Sequence, residues 1–198
     1  MRLVSGLADL LVLLPASLAF IGLLLRLGAA GEAAAYAKAL LFCLIATFLM
    51  KFSLAVCEAG GHPFGVESPS GHVAFSATFY GCVALTLSAR RSSAVQGAVA
   101  VGVVAFIVLV AISRVVLRAH TRAETIVGAT VGLLAIAIFL FNRPKHAPTD
   151  APLSARSTLV PLVAVFLLLG LPIANHWTAE PWIDAMAAEF GALTHLCE

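Results

Sequence analysis

The chain has 198 residues, of which 61% are hydrophobic and only 11% are charged, and its mean hydropathy is +1.03. A soluble domain of this length needs far more charge on its surface, so the composition excludes a soluble globular protein. The formal net charge of +2 is too small to indicate nucleic-acid binding, and the 4 cysteines form neither a disulfide framework nor a metal-binding spacing.

Long apolar runs follow one another along the chain. Runs of about 18 or more residues with few charges predict membrane-spanning helices. The sequence therefore predicts an all-α fold, an integral membrane bundle of six helices in a single domain, which cover residues 3–25, 34–56, 72–88, 94–112, 125–141 and 159–174. The first run resembles a cleaved signal peptide, but it extends to Arg26 and is long for one, so we expect a retained helix.

The basic residues predict which side of the membrane each connection occupies. With an even number of spans, both termini share one face with residues 57–71 and 113–124. The opposite face has only Glu32 and Asp150 as acids, and its cations are Arg26, Lys38, Arg90, Arg91, Arg143, Lys145 and Arg156. Because connections rich in Lys and Arg stay in the cytoplasm, we expect residues 57–71 and 113–124 to face the periplasm, in a bacterial inner membrane.

The first polar cluster, Ser68-Pro69-Ser70-Gly71-His72, precedes the third apolar run. Ser68 is a good N-cap and Pro69 is favoured at the first helical position, so we expect a helix to begin there. The N–H groups and the dipole of such a helix start form an anion site. Ser70 adds a hydroxyl, and Gly71 permits close approach to the backbone. A capped helix with an incidental histidine at His72 is the alternative.

The second polar cluster consists of Ser113, Arg114, His120 and Glu124. The planar fork of Arg114 suits phosphate oxygens. On a helix His120 and Glu124 share a face, so the carboxylate can fix one ring nitrogen and leave the other to attack. The segment Thr121-x-x-Glu124 is also a capping box, and on that interpretation Glu124 never touches His120.

Three further cations and the end of the chain complete the candidates. Lys51, at the end of the second run, is a third possible phosphate ligand, or else an interfacial lysine that reaches to water. Arg118 and Arg122 flank His120 and meet either the substrate or lipid headgroups. Residues 176–198 predict an amphipathic helix on the outer face, since apolar residues recur there at helical spacing. No cluster of metal ligands is evident, so we expect neither a metal nor a cofactor.

These motifs resemble those of the type 2 phosphatidic acid phosphatase (PAP2) superfamily, which includes membrane lipid phosphatases and vanadium haloperoxidases. The family pattern is K-x6-R-P, then P-S-G-H, then S-R-x5-H-x3-D. The second motif matches in full at residues 69–72, and the third matches from Ser113 through His120. The resemblance covers residues 51–141.

The chain departs from the family pattern at several positions. The third motif ends in Glu124 where the family has aspartate, and a longer carboxylate still reaches the histidine. In the first motif Lys51 is present, but Glu58 and Ala59 stand at the positions of the arginine and the proline. The nearby His62 is a weak substitute for the arginine. One span precedes that of Lys51, whereas many lipid phosphatases have two.

The resemblance implies a phosphatase mechanism. His120 would attack phosphorus and become a phosphohistidine while Glu124 orients it, and His72 would protonate the leaving oxygen and then activate water. Lys51, Ser70, Gly71 and Arg114 would hold the phosphate oxygens, with His62, Arg118 and Arg122 as possible auxiliaries. The expected partners are membrane lipids and an amphiphilic lipid phosphate or polyprenyl diphosphate as substrate. The alternatives are a lipid phosphotransferase that uses the same histidine and a non-catalytic relative that binds or transports lipid.

Overall fold

The computed structural model describes residues 1–56, 68–144, 183 and 185–189, and within these residues the chain forms helices and no strands. Residues 183 and 185–189 are helical. The other helices, in chain order, are α1 (Arg2–Gly6), α2 (Leu10–Arg26), α3 (Ala30–Val56), α4 (Gly71–Ser88), α5 (Ser93–Val116) and α6 (Arg122–Asn142).

Helices α3, α5 and α6 are long and apolar enough to cross a membrane. This confirms the predicted all-α membrane fold. The sixth predicted run, 159–174, and most of the tail at 176–198 lie outside the described residues, so the number of six spans stays a prediction.

The first apolar run differs from the single helix expected over residues 3–25. It is divided into α1 and α2, because Asp9 leaves the helical conformation with φ −70° and ψ 139° and caps α2. The Asp9 carboxylate accepts a hydrogen bond from the N–H of Leu11 at 2.9 Å. Such an acceptor satisfies an N–H group that has no partner within the helix, which fixes the point where α2 begins.

The core lies between α2, α3, α4 and α6. The rings of Phe20 on α2 and Tyr36 on α3 meet edge to face with centroids 5.1 Å apart. The Tyr36 hydroxyl donates to Ser17 Oγ at 2.7 Å, so its polar end is satisfied inside the apolar core. Phe139 on α6 is fully buried in the same core. These contacts fix the helices that carry the polar clusters.

Two glycines on α6 bring that helix close to α4. A Cβ added at Gly128 would collide with the carbonyl oxygen of Ser70, and one at Gly132 would lie 2.5 Å from Ala77 Cβ. Small residues spaced in this way allow the backbones of two membrane helices to approach closely. The start of α4, with the first polar cluster, is therefore held against the start of α6.

Helix α5 is the most exposed of the apolar helices. Only Val110 and Ser113 are buried among its residues. It contacts α4 through Phe106, whose ring centroid lies 4.8 Å from that of Tyr80. Buried Ala8, just before α2, packs with Val73 on α4 and Val110 on α5. The residues around α1 thus lie where α4 begins and α5 ends.

Candidate active site

The first polar cluster forms the start of α4, but with a different cap from the predicted one. The prediction that Ser68 caps the helix is wrong, because Ser70 is the N-cap and Gly71 is the first helical residue. Ser68 is instead held by two other elements. Its hydroxyl accepts from Lys51 Nζ at 2.6 Å, and its N–H donates to Glu124 Oε1 at 3.0 Å.

Ser70 lies completely buried at the start of α4. Its N–H donates to the carbonyl oxygen of Glu124 at 3.1 Å. Its Oγ has no hydrogen-bond partner among the described residues. A buried hydroxyl without a partner costs free energy, so its presence at a helix N-terminus points to a ligand oxygen as the missing partner.

The second polar cluster is positioned by a tight turn at the end of α5. Arg118 takes a left-handed conformation with φ 54°. The N–H of Ala119 donates to Arg114 O and that of Arg118 to Val115 O, both at 3.0 Å. These two bonds form a Schellman motif, which satisfies the last carbonyl groups of the helix. The turn brings the chain back so that His120 lies just before α6.

Glu124 contacts His120 and also completes the capping box of α6. Its Oε2 lies 3.1 Å from His120 Nδ1 and accepts from the N–H of Thr121 at 2.8 Å. The Thr121 hydroxyl accepts from the N–H of Glu124 at 3.3 Å. The two interpretations of the sequence are therefore compatible. Capping fixes the carboxylate at the position from which it orients the imidazole.

The contact with Glu124 determines the state of both ring nitrogens of His120. A carboxylate only accepts hydrogen bonds, so Nδ1 carries the proton that faces Glu124 and Nε2 carries a lone pair. The side chains of His120 and Glu124 are only 4% and 5% exposed. Burial excludes water from this contact and strengthens it. The arrangement suits a nucleophilic imidazole whose tautomer is fixed.

Lys51 on α3 is buried and joins the same cluster through Ser68. Contacts that run from Lys51 to Ser68 and on to Glu124 connect α3, the start of α4 and the start of α6. The structure thus brings together five of the predicted residues, which are Lys51, Ser70, Gly71, His120 and Glu124.

Arg114 and His72 contact two residues that sequence reasoning missed. Arg114 Nη1 donates to Ser5 Oγ at 2.8 Å. His72 Nε2 lies 3.5 Å from Asp9 Oδ2. The signal for Asp9 was its position as an acid inside an apolar run, since ionisable residues in such runs usually have a function.

Two of the auxiliary residues, Arg118 and Arg122, take no part in these contacts. Arg118 and Arg122 are exposed, one in the turn after α5 and the other at the first position of α6. His62, like Glu58 and Ala59 of the first motif, lies outside the described residues. Among the described residues, no group of three or more His, Cys, Asp or Glu side chains is placed to hold a metal ion.

Comparisons with known proteins agree with this geometry. The family model of the PAP2 superfamily matches residues 16–148. The chain is also 32% identical over 171 residues to an uncharacterized 22.5 kDa protein in the cps region of Klebsiella pneumoniae, a match that covers 85% of this chain and 81% of that protein. No solved structure matches. The chain belongs to the PAP2 superfamily, and with its apolar helices it fits a membrane phosphatase.

Proposed function

We propose that the protein hydrolyses a lipid phosphate or polyprenyl diphosphate through a phosphohistidine at His120, on the periplasmic side of a bacterial inner membrane. The observation that carries the proposal is the contact of 3.1 Å between His120 Nδ1 and Glu124 Oε2. It leaves Nε2 as the nucleophilic nitrogen. Membership in the PAP2 superfamily, which includes membrane lipid phosphatases, supports the same reaction.

The phosphate would be bound by groups that surround the start of α4. Ser70 Oγ is buried without a partner there, and the N–H of Gly71 lies in the first turn of that helix. Lys51 and Arg114 supply positive charge from α3 and α5. Hydrogen-bond donors and cations fixed around a transferring phosphoryl group stabilise the charge that spreads over its oxygens.

The reaction has two steps. His120 Nε2 attacks phosphorus, the bond from phosphorus to the leaving oxygen breaks, and that oxygen takes a proton from His72. His72 then removes a proton from water, whose oxygen attacks the phosphohistidine and breaks the phosphorus–nitrogen bond. The products are inorganic phosphate and the lipid alcohol, or the lipid monophosphate when the substrate is a diphosphate. General acid–base catalysis of this kind contributes about 10²–10⁴-fold to a rate.

The placement of the site supports an amphiphilic substrate. Its residues lie at the ends of apolar helices, where a headgroup can bind while the lipid tail stays between the helices. Polyprenyl diphosphates, phosphatidate, phosphatidylglycerol phosphate and lipid A have this chemistry. We propose that the substrate belongs to this class of amphiphilic phosphates.

The test is phosphate release by the purified protein in detergent, with those lipids as substrates and EDTA present. We expect release that does not need metal and that His120→Ala lowers by about 10³-fold or more. Arg122→Ala, at an exposed position beside the site, is the matched control and should retain activity. Phosphate transferred to a second lipid and not to water would identify a phosphotransferase. Release unchanged in His120→Ala would contradict the proposal.

A further inference from the structure

The residues that precede α2 lie against the candidate active site. Ser5 Oγ accepts from Arg114 Nη1 at 2.8 Å, and Leu7 O accepts from the Tyr80 hydroxyl at 2.8 Å. Asp9 reaches His72 two residues beyond Leu7. Residues 1–9, which we name the N-terminal segment, therefore contact both the arginine and the first histidine of the site. Ser5, Leu7 and Asp9 all lie outside the family motifs.

The two carboxylate oxygens of Asp9 have separate partners. Oδ1 accepts from the N–H of Leu11 at 2.9 Å, which fixes the side chain at the start of α2. Oδ2 is directed at His72 and lies 3.5 Å from Nε2. A carboxylate held by a helix N-terminus keeps its orientation, so the imidazole beside it has a fixed partner on one nitrogen. Nδ1 of His72 is then the nitrogen that faces away from Asp9.

The charge of Asp9 is maintained by its surroundings. Burial alone would raise the pKa of Asp9. Its pKa is nevertheless held below the ordinary value by hydrogen bonds from His72 and the Leu11 N–H, and by the positive charges of His72 and Arg114. Asp9 is therefore ionised at neutral pH. The side chains of His72 and Asp9 are 18% and 17% exposed, so the pair remains in contact with solvent.

We propose that Asp9 is the positioning residue of His72, and that the N-terminal segment in this way completes the active site. This inference rests on the proposed function, in which His72 gives a proton to the leaving oxygen. A fixed carboxylate at Nε2 directs Nδ1 of His72 toward the leaving oxygen. Its negative charge also stabilises the protonated imidazole, which is the form that donates the proton.

The other charged groups of the candidate active site lie on or beside α3, α5 and α6. Lys51 lies on α3, Arg114 on α5, and Glu124 on α6 with His120 just before it. Glu124 is committed to His120 and to backbone N–H groups. Asp9 is therefore the carboxylate that lies against His72 among the described residues.

The kinetic test compares Asp9→Asn with the parent protein on the lipid that is turned over fastest. Asparagine keeps the cap of α2 and removes the charge, so the fold is retained. We expect kcat to fall by about 10–100-fold with KM within about twofold, and the decline of kcat on the alkaline side to begin at lower pH. Asp9→Glu, which restores the carboxylate, should recover the pH profile. Tyr80→Phe, which loosens the N-terminal segment without changing its charge, should leave the shape of the profile unchanged.

A second measurement does not depend on activity. The sequence contains three aspartates, Asp9, Asp150 and Asp184. Carboxyl-labelled aspartate therefore gives a simple NMR spectrum, in which the signal lost in Asp9→Asn identifies Asp9. Because His72 lowers the pKa of Asp9, His72→Gln should raise that pKa, whereas Arg122→Ala should not change it.

Each outcome decides a different point. If the pKa of Asp9 does not change in His72→Gln, the contact is absent in solution and the inference is overturned. If it rises but Asp9→Asn retains both kcat and the pH profile, the contact is structural only, and the inference is again overturned. Faster turnover by Asp9→Asn would mean that the carboxylate hinders the reaction, and it would overturn the inference. A parent protein that turns over no lipid phosphate refutes the proposed function, even where the NMR experiment demonstrates the pair.

Discussion

Both histidines of the candidate active site face a carboxylate, but the two pairs are built in opposite ways. His120 and Glu124 are close in sequence, lie 3.1 Å apart and are 4% and 5% exposed. His72 lies in the first turn of α4 and Asp9 caps α2; the two side chains are 3.5 Å apart and are 18% and 17% exposed. The first pair is rigid and dry, whereas the second remains in contact with solvent.

The difference matches the roles proposed for the two histidines. A nucleophile gains from a fixed orientation and from the exclusion of water, because both lower the cost of reaching the transition state. A group that exchanges protons with a leaving oxygen and then with water must remain accessible to water. The capping box of α6 supplies the rigidity of the first pair, whereas the second pair, beside the N-terminal segment, is partly exposed.

Breaking the rigid pair should have the largest effect. Glu124→Ala removes the partner of His120 Nδ1 and the acceptor for the N–H groups of Thr121 and Ser68. We expect activity to fall by about 10³-fold or more and stability to fall by about 1–3 kcal/mol. Glu124→Asp, which carries the carboxylate that the family motif has there, is the control. Turnover and the thermal midpoint in detergent measure both effects, and a Glu124→Ala protein with the parent's activity would contradict the orienting role.

Moving the two pairs relative to each other should have the next largest effect. Gly128→Ala places a Cβ against the backbone of Ser70, so α4 and α6 must separate where both polar clusters lie. We expect a loss of about 1–3 kcal/mol in stability and of about 10²-fold in activity, since small misplacements of reacting groups are costly. The matched control is Gly97→Ala on α5, where no atom lies within 4 Å of the added Cβ. If both variants behave alike, the close approach does not set the geometry of the site.

The rigid pair could be predicted from sequence, whereas the solvent-exposed pair could not. The spacing of His120 and Glu124 predicted their contact, but the expectation that both lie on one helix face was wrong. His120 precedes α6, and the capping box of that helix directs the Glu124 carboxylate at it. Asp9 and His72 meet only because α2 packs beside α4, and such long-range packing is not encoded in any local spacing. The break between α1 and α2 was missed for a related reason. The hydrophobicity of a run predicts that it is helical, but it does not predict the capping hydrogen bond that divides this run at Asp9.

A smaller and more selective effect is expected at Ser70, which lies between the two pairs. Its Oγ has no partner among the described residues, so Ser70→Ala removes no internal hydrogen bond and should not lower the thermal midpoint. If the hydroxyl binds a phosphate oxygen, KM should rise by about tenfold, which corresponds to about 1.4 kcal/mol. Ser113→Ala is the contrasting variant. It removes a buried hydrogen bond of 2.7 Å to Val110 O and should lower the midpoint instead.

The smallest effect on activity is expected in the turn that presents His120. Arg118 takes φ 54°, a conformation that costs a residue with a side chain about 1–2 kcal/mol but is open to glycine. Arg118→Gly should therefore keep the Schellman motif and raise stability by about 1 kcal/mol or less, because glycine also has more entropy to lose on folding. Activity within about twofold of the parent would indicate that the conformation of this residue, and not its charge, serves the site. A large loss of activity in a stable Arg118→Gly protein would assign its guanidinium to substrate binding, and Arg118→Lys, which keeps the charge, would then retain more activity than the glycine variant.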